Sequence, residues 1–315
     1  MRGILIANPN ATTTTERTRE VLTGALSAVG DIDVVTTSHA GHAGELAQQA
    51  SAENLDVIIV LGGDGTVHEV VNGLLGSTDS AHARGEAHHH PALATIPGGS
   101  ANVLARACGL PNDPVEATGQ LLEALREGRR TTIGLGRVNG TWFVANAGLG
   151  LDAEIIESME AQRGLGKRAT PTRYLATSVR TYFSSTDRKI PRLQIFMDDQ
   201  PPVDHVFLAI VQNTSPWTYL GGMAVNPSPR AAFDKGLDIW AITNMRVLPS
   251  LVGVQRILTQ RETQGANRGL FARHDMDRFT LVASEPTPLQ VDGEGLGRVE
   301  HVTFESVPEA LRLVL

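Results

Sequence analysis

Three short stretches combine glycine with hydroxyl, amide and acidic side chains in a way that suits phosphate chemistry. The sharpest is Gly62-Gly63-Asp64-Gly65-Thr66, which follows the strand signal Asp56–Leu61 and precedes a helical stripe. Glycines let a ligand approach main-chain N–H groups closely, and an adjoining helix N-terminus favours anions. Thr66 offers an N-cap or a hydroxyl donor to phosphate. Asp64 suits such a site only if it meets a metal or accepts a proton, so the pairing points to nucleotide phosphate with Mg²⁺. The plain alternative is a glycine turn that caps a strand. A second junction, Gly98-Gly99-Ser100-Ala101-Asn102, again lies between an apolar run and a helical segment, with Ser100 placed as an N-cap. A third, Asn8-Pro9-Asn10-Ala11-Thr12, follows Ile4–Ala7.

Parallel strands are what would bring these turns together. Ile4–Ala7, Val57–Leu61 and Ala92–Ile96 are continuous apolar runs, as in buried parallel strands, and Asp33–Thr36 is a weaker one. Val67, Val70, Val71, Leu74 and Leu75 form one helical stripe. Asp113-Pro114-Val115-Glu116 opens another helix with an N-cap and a first-turn proline, and Gly128 closes it. Alternation of this kind predicts a parallel sheet covered by helices, whose carboxyl edge binds ligands. Beyond residue 130 the pattern changes. Asn139-Gly140 between β-formers predicts a hairpin. Strand signals recur at Leu193–Met197, Val206–Val211, Leu237–Ile242, Phe279–Val282, Leu289–Val291 and Val299–Phe304, with helical stretches near 153–183 and 249–262. A largely antiparallel β domain is expected there.

Composition narrows the chemistry. With 315 residues, 41% hydrophobic and 19% charged, the chain can build two packed domains. Its net charge of −7 argues against nucleic-acid binding as its main work. Its lysines are Lys167, Lys189 and Lys235; Gly166-Lys167 precedes Arg168, so no lysine-bearing P-loop is formed. The single cysteine, Cys108, rules out an internal disulfide. With no apolar run long enough to span a bilayer, a cytosolic protein with at most peripheral membrane contact is expected.

The ordered set of motifs resembles the diacylglycerol kinase and sphingosine kinase catalytic superfamily, and in particular its bacterial diacylglycerol kinase-type members. Besides the glycine turns, Asn146–Ala153 and Val291-Asp292-Gly293-Glu294 match segments of that family. The resemblance implies an α/β nucleotide-binding domain (1–130), a β-sandwich lipid-substrate domain (131–305) and a tail (306–315) returning to the first. It implies ATP and Mg²⁺, with ATP in the interdomain cleft. Carried over by motif, the nucleotide contacts are Asn8, Pro9, Asn10, Ala11 and Thr12, then Thr37. They continue with Gly62, Gly63, Asp64, Gly65, Thr66, Val67, His68 and Glu69, and end with Gly99, Ser100 and Asn102. Glu294 or Asp292 would accept the proton of a lipid hydroxyl, with Asp64 a third candidate. The implied substrate is a lipid at the inner face of the membrane, most simply diacylglycerol, with sphingosine or a glycolipid as alternatives. No nucleic-acid partner is implied, and a homodimer is left open.

The sequence also departs from the family. The first loop usually reads Asn-Pro-x-Ser-Gly and is Asn-Pro-Asn-Ala-Thr here. The region of a structural Mg²⁺ reads Phe233-Asp234-Lys235-Gly236-Leu237-Asp238, with lysine in place of an aspartate, leaving Asp234 and Asp238 beside Asp64 as metal candidates. Rival signals are thinner. Gly148-x-Gly150-x-x-Ala153 imitates a dinucleotide fingerprint, but its expected acid is replaced by Lys167, Arg168 and Arg173. NAD kinase shares the Gly-Gly-Asp-Gly turn, and a nucleotide- or lipid-binding protein without turnover is the non-enzyme alternative. His82, His88, His89 and His90 read as a solvated loop, and His39 and His42 as helix-packing residues. The basic and apolar stretch 153–183 is either a surface for anionic lipid or a solvated helix face.

Overall fold

In a computed structural model, the chain divides into two compact units: Met1–Val144 with Val307–Leu315, and Ala145–Ser306. The structure describes residues 1–9, 16–76, 90–150, 190–198, 200–220, 222–263, 265–267 and 269–315. The expected helix 153–183 and most of the 76–91 loop lie outside the described residues.

The first unit runs β1 (Arg2–Ala7), α1 (Glu16–Leu26), β2 (Asp31–Thr36), α2 (His42–Ala52), β3 (Val57–Gly62), α3 (Asp64–Leu75), β4 (Ala92–Pro97), α4 (Val103–Ala107), α5 (Pro114–Glu127), β5 (Thr131–Val138) and β6 (Thr141–Phe143). Its first four strands are parallel, in the order β4-β3-β1-β2. β3 and β4 are buried along their whole length, which is why their sequences are almost wholly apolar, Thr95 apart, whereas edge strand β2 is largely exposed. Burial of each Val, Ile or Leu in β3 contributes roughly 1.5–3 kcal/mol. In this order the chain leaves β1 toward β2 and then returns to the other side of β1 to form β3. The crevice of an open α/β sheet falls at such a reversal.

Local signals explain the helices. The Asp113 carboxylate accepts N–H bonds from Val115 and Glu116 at 2.9 and 3.0 Å, and Gly128 closes α5 in the left-handed conformation. In the β5–β6 turn, Asn139 and Gly140 both have positive φ, as a type I′ turn requires. α2 and α3 cross at a pair of glycines, where a Cβ on Gly73 would collide with the main chain of Gly44. The C-terminus completes this unit: Leu313 pairs in parallel with Leu93, and Val314 N–H donates to the Leu93 carbonyl at 2.9 Å.

The second unit contains β7 (Asn146–Gly150), β8 (Leu193–Phe196), β9 (Val203–Val206), β10 (Leu208–Gln212), β11 (Thr218–Leu220), β12 (Met223–Val225), β13 (Leu237–Ile242), α6 (Val247–Leu258), β14 (Gly265–Asn267), β15 (Leu270–Met276), β16 (Arg278–Val291) and β17 (Glu294–Leu313), whose last residues belong to the first unit. The order β14-β15-β13-β10-β7-β16-β17 is antiparallel throughout. The long strand β16 pairs with β8 through Thr280–Ala283 and with β7 through Leu289–Val291. Two sequence expectations need correction. Val206–Val211 is two strands broken at Phe207, whose N–H instead reaches the Ile242 carbonyl. Phe279–Val282 and Leu289–Val291 are one strand, because register shifts absorb the intervening prolines. Among the described residues, no helix is long and apolar enough to cross a membrane.

The glycine crossing yields a paired stability test. Gly73→Ala is expected to destabilise the protein by about 2–3 kcal/mol through overpacking against backbone. Gly119→Ala, in α5 with open space around it, should be neutral or stabilising by up to about 1 kcal/mol. Urea unfolding of both variants is the check, and equal effects would discount the crossing.

Candidate functional site

The parallel registers set the carboxyl ends of β1, β3 and β4 side by side, with Ala7 opposite Leu61 and Gly62 opposite Pro97. The turns that follow are bonded to one another. Asn8 Nδ2 donates to Thr66 Oγ1 at 3.0 Å across the β1–β3 crevice, and Asn8 N–H reaches the Leu61 carbonyl. Gly98 N–H donates to the Gly62 carbonyl at 2.8 Å. At the next residues, backbone meets backbone. A Cβ on Gly99 would lie 2.6 Å from Gly63 Cα, so the two turns approach this closely only as glycines.

α3 starts at this junction. Gly63 is its N-cap and supplies no side chain, so the helix presents its positive end at the turn. Thr66 therefore lies two residues inside the helix and is not the N-cap that the sequence suggests; its hydroxyl meets Asn8 instead. Asp64 stands at the first helical position, where a negative charge is favoured. Its Oδ1 accepts the Val103 N–H at 2.6 Å, tying α3 to α4. Ser100 is exposed and does not cap α4. That position belongs to Asn102, buried and left-handed, whose amide bonds the Gly99 N–H, the Gly99 carbonyl and Asn112. Asparagine tolerates this backbone better than serine does.

A cavity of about 310 Å³ opens here, lined by Asn8, Pro9, Thr37, Ser38, His39, Ala40, Thr66 and Glu69. Five of the expected contacts, Asn8, Pro9, Thr37, Thr66 and Glu69, thus share one space. Glu69 Oε2 also accepts the Ala43 N–H at 3.2 Å, joining α3 to the start of α2. Val67 and His68 turn inward and are buried, leaving them only main-chain roles toward a ligand. Asn10, Ala11 and Thr12 lie outside the described residues. Ser38, His39 and Ala40 are wall residues that motif spacing missed; their position after edge strand β2 was the available signal. His39 and His42 do not pack into a helix interface: their rings stack on each other, 4.8 Å apart, with His39 exposed and His42 half-buried.

The acidic turn lies in the second unit. Asp292 and Gly293 both have positive φ, and Val291 pairs with Glu294. Asp292 Oδ1 accepts two main-chain bonds, from Ala145 at 2.8 Å and Asn146 at 3.1 Å. Buried Gln290 receives the Gly293 N–H and donates to Asn146 Oδ1. Asn146–Gly150 and Leu289–Val291 are therefore neighbours in space, although far apart in sequence.

Asp234 is exposed, whereas Asp238 is buried, with its Oδ1 2.5 Å from His274 Nδ1 and 3.1 Å from the Asp275 N–H. Burial raises the Asp238 carboxyl, opposed by the Asp275 amide and by His274. Among the described residues, none of Asp64, Asp234 and Asp238 belongs to a group of three or more metal-ligating side chains. Burial pushes the Cys108 thiol up to about 12, which removes it as a nucleophile.

Comparison with known proteins follows the same lines. The family model described as "Diacylglycerol kinase catalytic domain" matches residues 2–138. Diacylglycerol kinases of Staphylococcus aureus strains bovine RF122 / ET3-1 and MRSA252 are each 34% identical over 147 residues, 45% of this chain and 42% of theirs. The match thus spans less than half the length of these relatives. A crystal structure of a diacylglycerol kinase from Bacillus anthracis str. Sterne aligns with a TM-score of 0.72 at 22% identity, covering 99% of this chain and 96% of that one. At that identity the likeness establishes a shared mixed α/β, sheet-rich fold.

The glycine contact generates the test for this site. Gly99→Ala must separate the two turns, and is expected to weaken binding of a fluorescent ATP analogue by at least about tenfold, roughly 1.4 kcal/mol. The folded state, followed by circular dichroism, should persist. Unchanged affinity would remove the Gly63–Gly99 contact from the binding surface.

Proposed function

We propose, from the match of residues 2–138 to the diacylglycerol kinase catalytic domain model, that the protein is an ATP- and Mg²⁺-dependent lipid kinase acting on a primary hydroxyl, that of diacylglycerol. The observation that carries the proposal is the cavity at the carboxyl edge of the parallel sheet, where the expected nucleotide residues converge. Its chemistry fits a nucleoside triphosphate: the Thr37 and Thr66 hydroxyls of the lining, together with the glycine turn and α3 N-terminus that lead into Thr66, can hold phosphate without lysine.

Asp64 is the carboxylate beside that turn and the residue that would hold Mg²⁺ there. When bound, Mg²⁺ supplies neutralisation of the phosphate charge. The protein's own part is positioning and proton transfer. The acceptor hydroxyl oxygen bonds to the γ-phosphorus as the bond from the γ-phosphorus to the β–γ bridging oxygen breaks. ADP leaves and a carboxylate takes the hydroxyl proton. Glu294 is assigned that role. Asp292 is given the structural one, since its oxygen already accepts the two amides that fix the turn. In this reading the second unit is the β-sandwich lipid-substrate domain. The protein is cytoplasmic and meets its substrate at the inner face of the membrane.

Label from γ-labelled ATP should appear in phosphatidic acid when diacylglycerol, sphingosine, a glycolipid panel and NAD are offered separately. Transfer to NAD alone would contradict the lipid assignment, and transfer to none would favour a binding protein. Glu294→Gln should lower turnover at least about 100-fold, as loss of a general base does, while ATP affinity stays within twofold. Asp292→Ala should instead lower stability by about 2 kcal/mol, the scale of hydrogen bonds to a charged group. The reverse pattern would exchange the two roles.

A further inference from the structure

The turn before α2 and the first turn of α2 carry a group of side chains to which the kinase reading gives no chemical role. His39, His42 and Glu45 place one ligand atom each within 4.8 Å of the others. The spacing explains the cluster: His42 and Glu45, three apart in the first turn of α2, share a helix face. His39 reaches that face from the preceding turn, which reverses at left-handed Gly41. His39 Nε2 is 3.9 Å from Glu45 Oε2.

Hydrogen bonding orients these groups. His39 Nδ1 lies 2.9 Å from the Ala40 carbonyl, which can only accept, so Nδ1 carries a proton and in the neutral ring Nε2 keeps its lone pair. This is how a metal-bound imidazole is typically held: one nitrogen donates to a carbonyl while the other faces the ion. His42 Nδ1 accepts the Ser38 N–H at 3.1 Å and lies 3.2 Å from Ser38 Oγ. A metal ion at Nε2 requires the other tautomer of this ring, in which Nε2 gives its proton to water and Nδ1, protonated from water, donates to Ser38 Oγ in place of accepting the Ser38 N–H. The His39 and Glu45 side chains are 54% and 65% exposed, so they can rotate to meet an ion without disturbing the core.

We propose that His39, His42 and Glu45 form a binding site for a divalent late transition metal ion such as Zn²⁺, Co²⁺ or Ni²⁺. Two imidazoles and a carboxylate, with water in the open position, match the preferences of these ions. Mg²⁺ prefers all-oxygen ligands. The site is thus separate from the Mg²⁺ expected with ATP, and it does not depend on the kinase assignment. His39 belongs to both this cluster and the nucleotide cavity wall, which places the ion at the cavity's edge.

The test uses the full, untagged chain, stripped with EDTA and carrying His82→Gln, His88→Gln and His89→Gln to silence the other histidine-rich segment. Co²⁺ is titrated by visible absorption, and Zn²⁺ by competition with a chromophoric chelator. One equivalent should bind, and a hundredfold excess of Mg²⁺ should not displace it. His39→Ala, His42→Ala and Glu45→Gln should each weaken binding by about tenfold or more, the usual scale for a lost contact in a metal site. Circular dichroism checks that each variant is folded. If an alanine variant unfolds, Glu45→Gln alone decides. Failure to bind Co²⁺ and Zn²⁺, displacement by Mg²⁺, or unchanged affinity in the folded variants would overturn the proposal.

Discussion

The close approach of two glycine turns, where Gly63 and Gly99 meet backbone to backbone, is the constraint on which the site depends. Side chains at either position would force the carboxyl ends of β3 and β4 apart. The Gly98 N–H bond to the Gly62 carbonyl and the Asp64 bond to Val103 N–H would then be strained or broken. Those links fix the start of α3 relative to α4. The Asn8–Thr66 bond adds the β1 loop to the same assembly. In the proposed nucleotide site, main-chain amides held in place would carry the phosphate affinity, and rigidity of the turns would stand in for a P-loop lysine.

The buried parallel sheet provides that rigidity. β3 and β4 have no exposed residue, and their register leaves no slack of a single position, since a one-residue slip would turn every side chain to the other face. The second unit applies the same logic to its acidic turn. Asp292 holds the turn by accepting two amides at the start of β7, and Gln290 holds it from below. In the proposed mechanism the proton acceptor is the neighbouring Glu294.

Much of this was legible in the sequence for identifiable reasons. Continuous apolar runs marked β1, β3 and β4, because strands buried on both faces cannot alternate. Asp113-Pro114 and Asn139-Gly140 marked a cap and a turn whose chemistry is local. The sequence was less informative where partners come from distant residues. Thr66 reads as an N-cap, but Asn8, 58 residues earlier, claims its hydroxyl. Ser100 reads as a cap, but the left-handed backbone selects Asn102. Nothing in the spacing of Asn146 and Gln290 announces that they meet, because pairing between β7 and β16 is set by the whole sheet. His39 and His42 fit a packing pattern, and only the turn at Gly41 shows that they stack on each other at the surface, His42 half-buried.

The central claim, that ATP binds at the carboxyl edge of the first unit's parallel sheet, is tested most directly by hydrogen–deuterium exchange with and without Mg²⁺ and a non-hydrolysable ATP analogue. The account predicts slowed exchange in peptides covering Asn8–Pro9, Gly62–Glu69 and Gly98–Val103, with little change along α5. Protection absent from all three turns, or confined to the second unit, would contradict it.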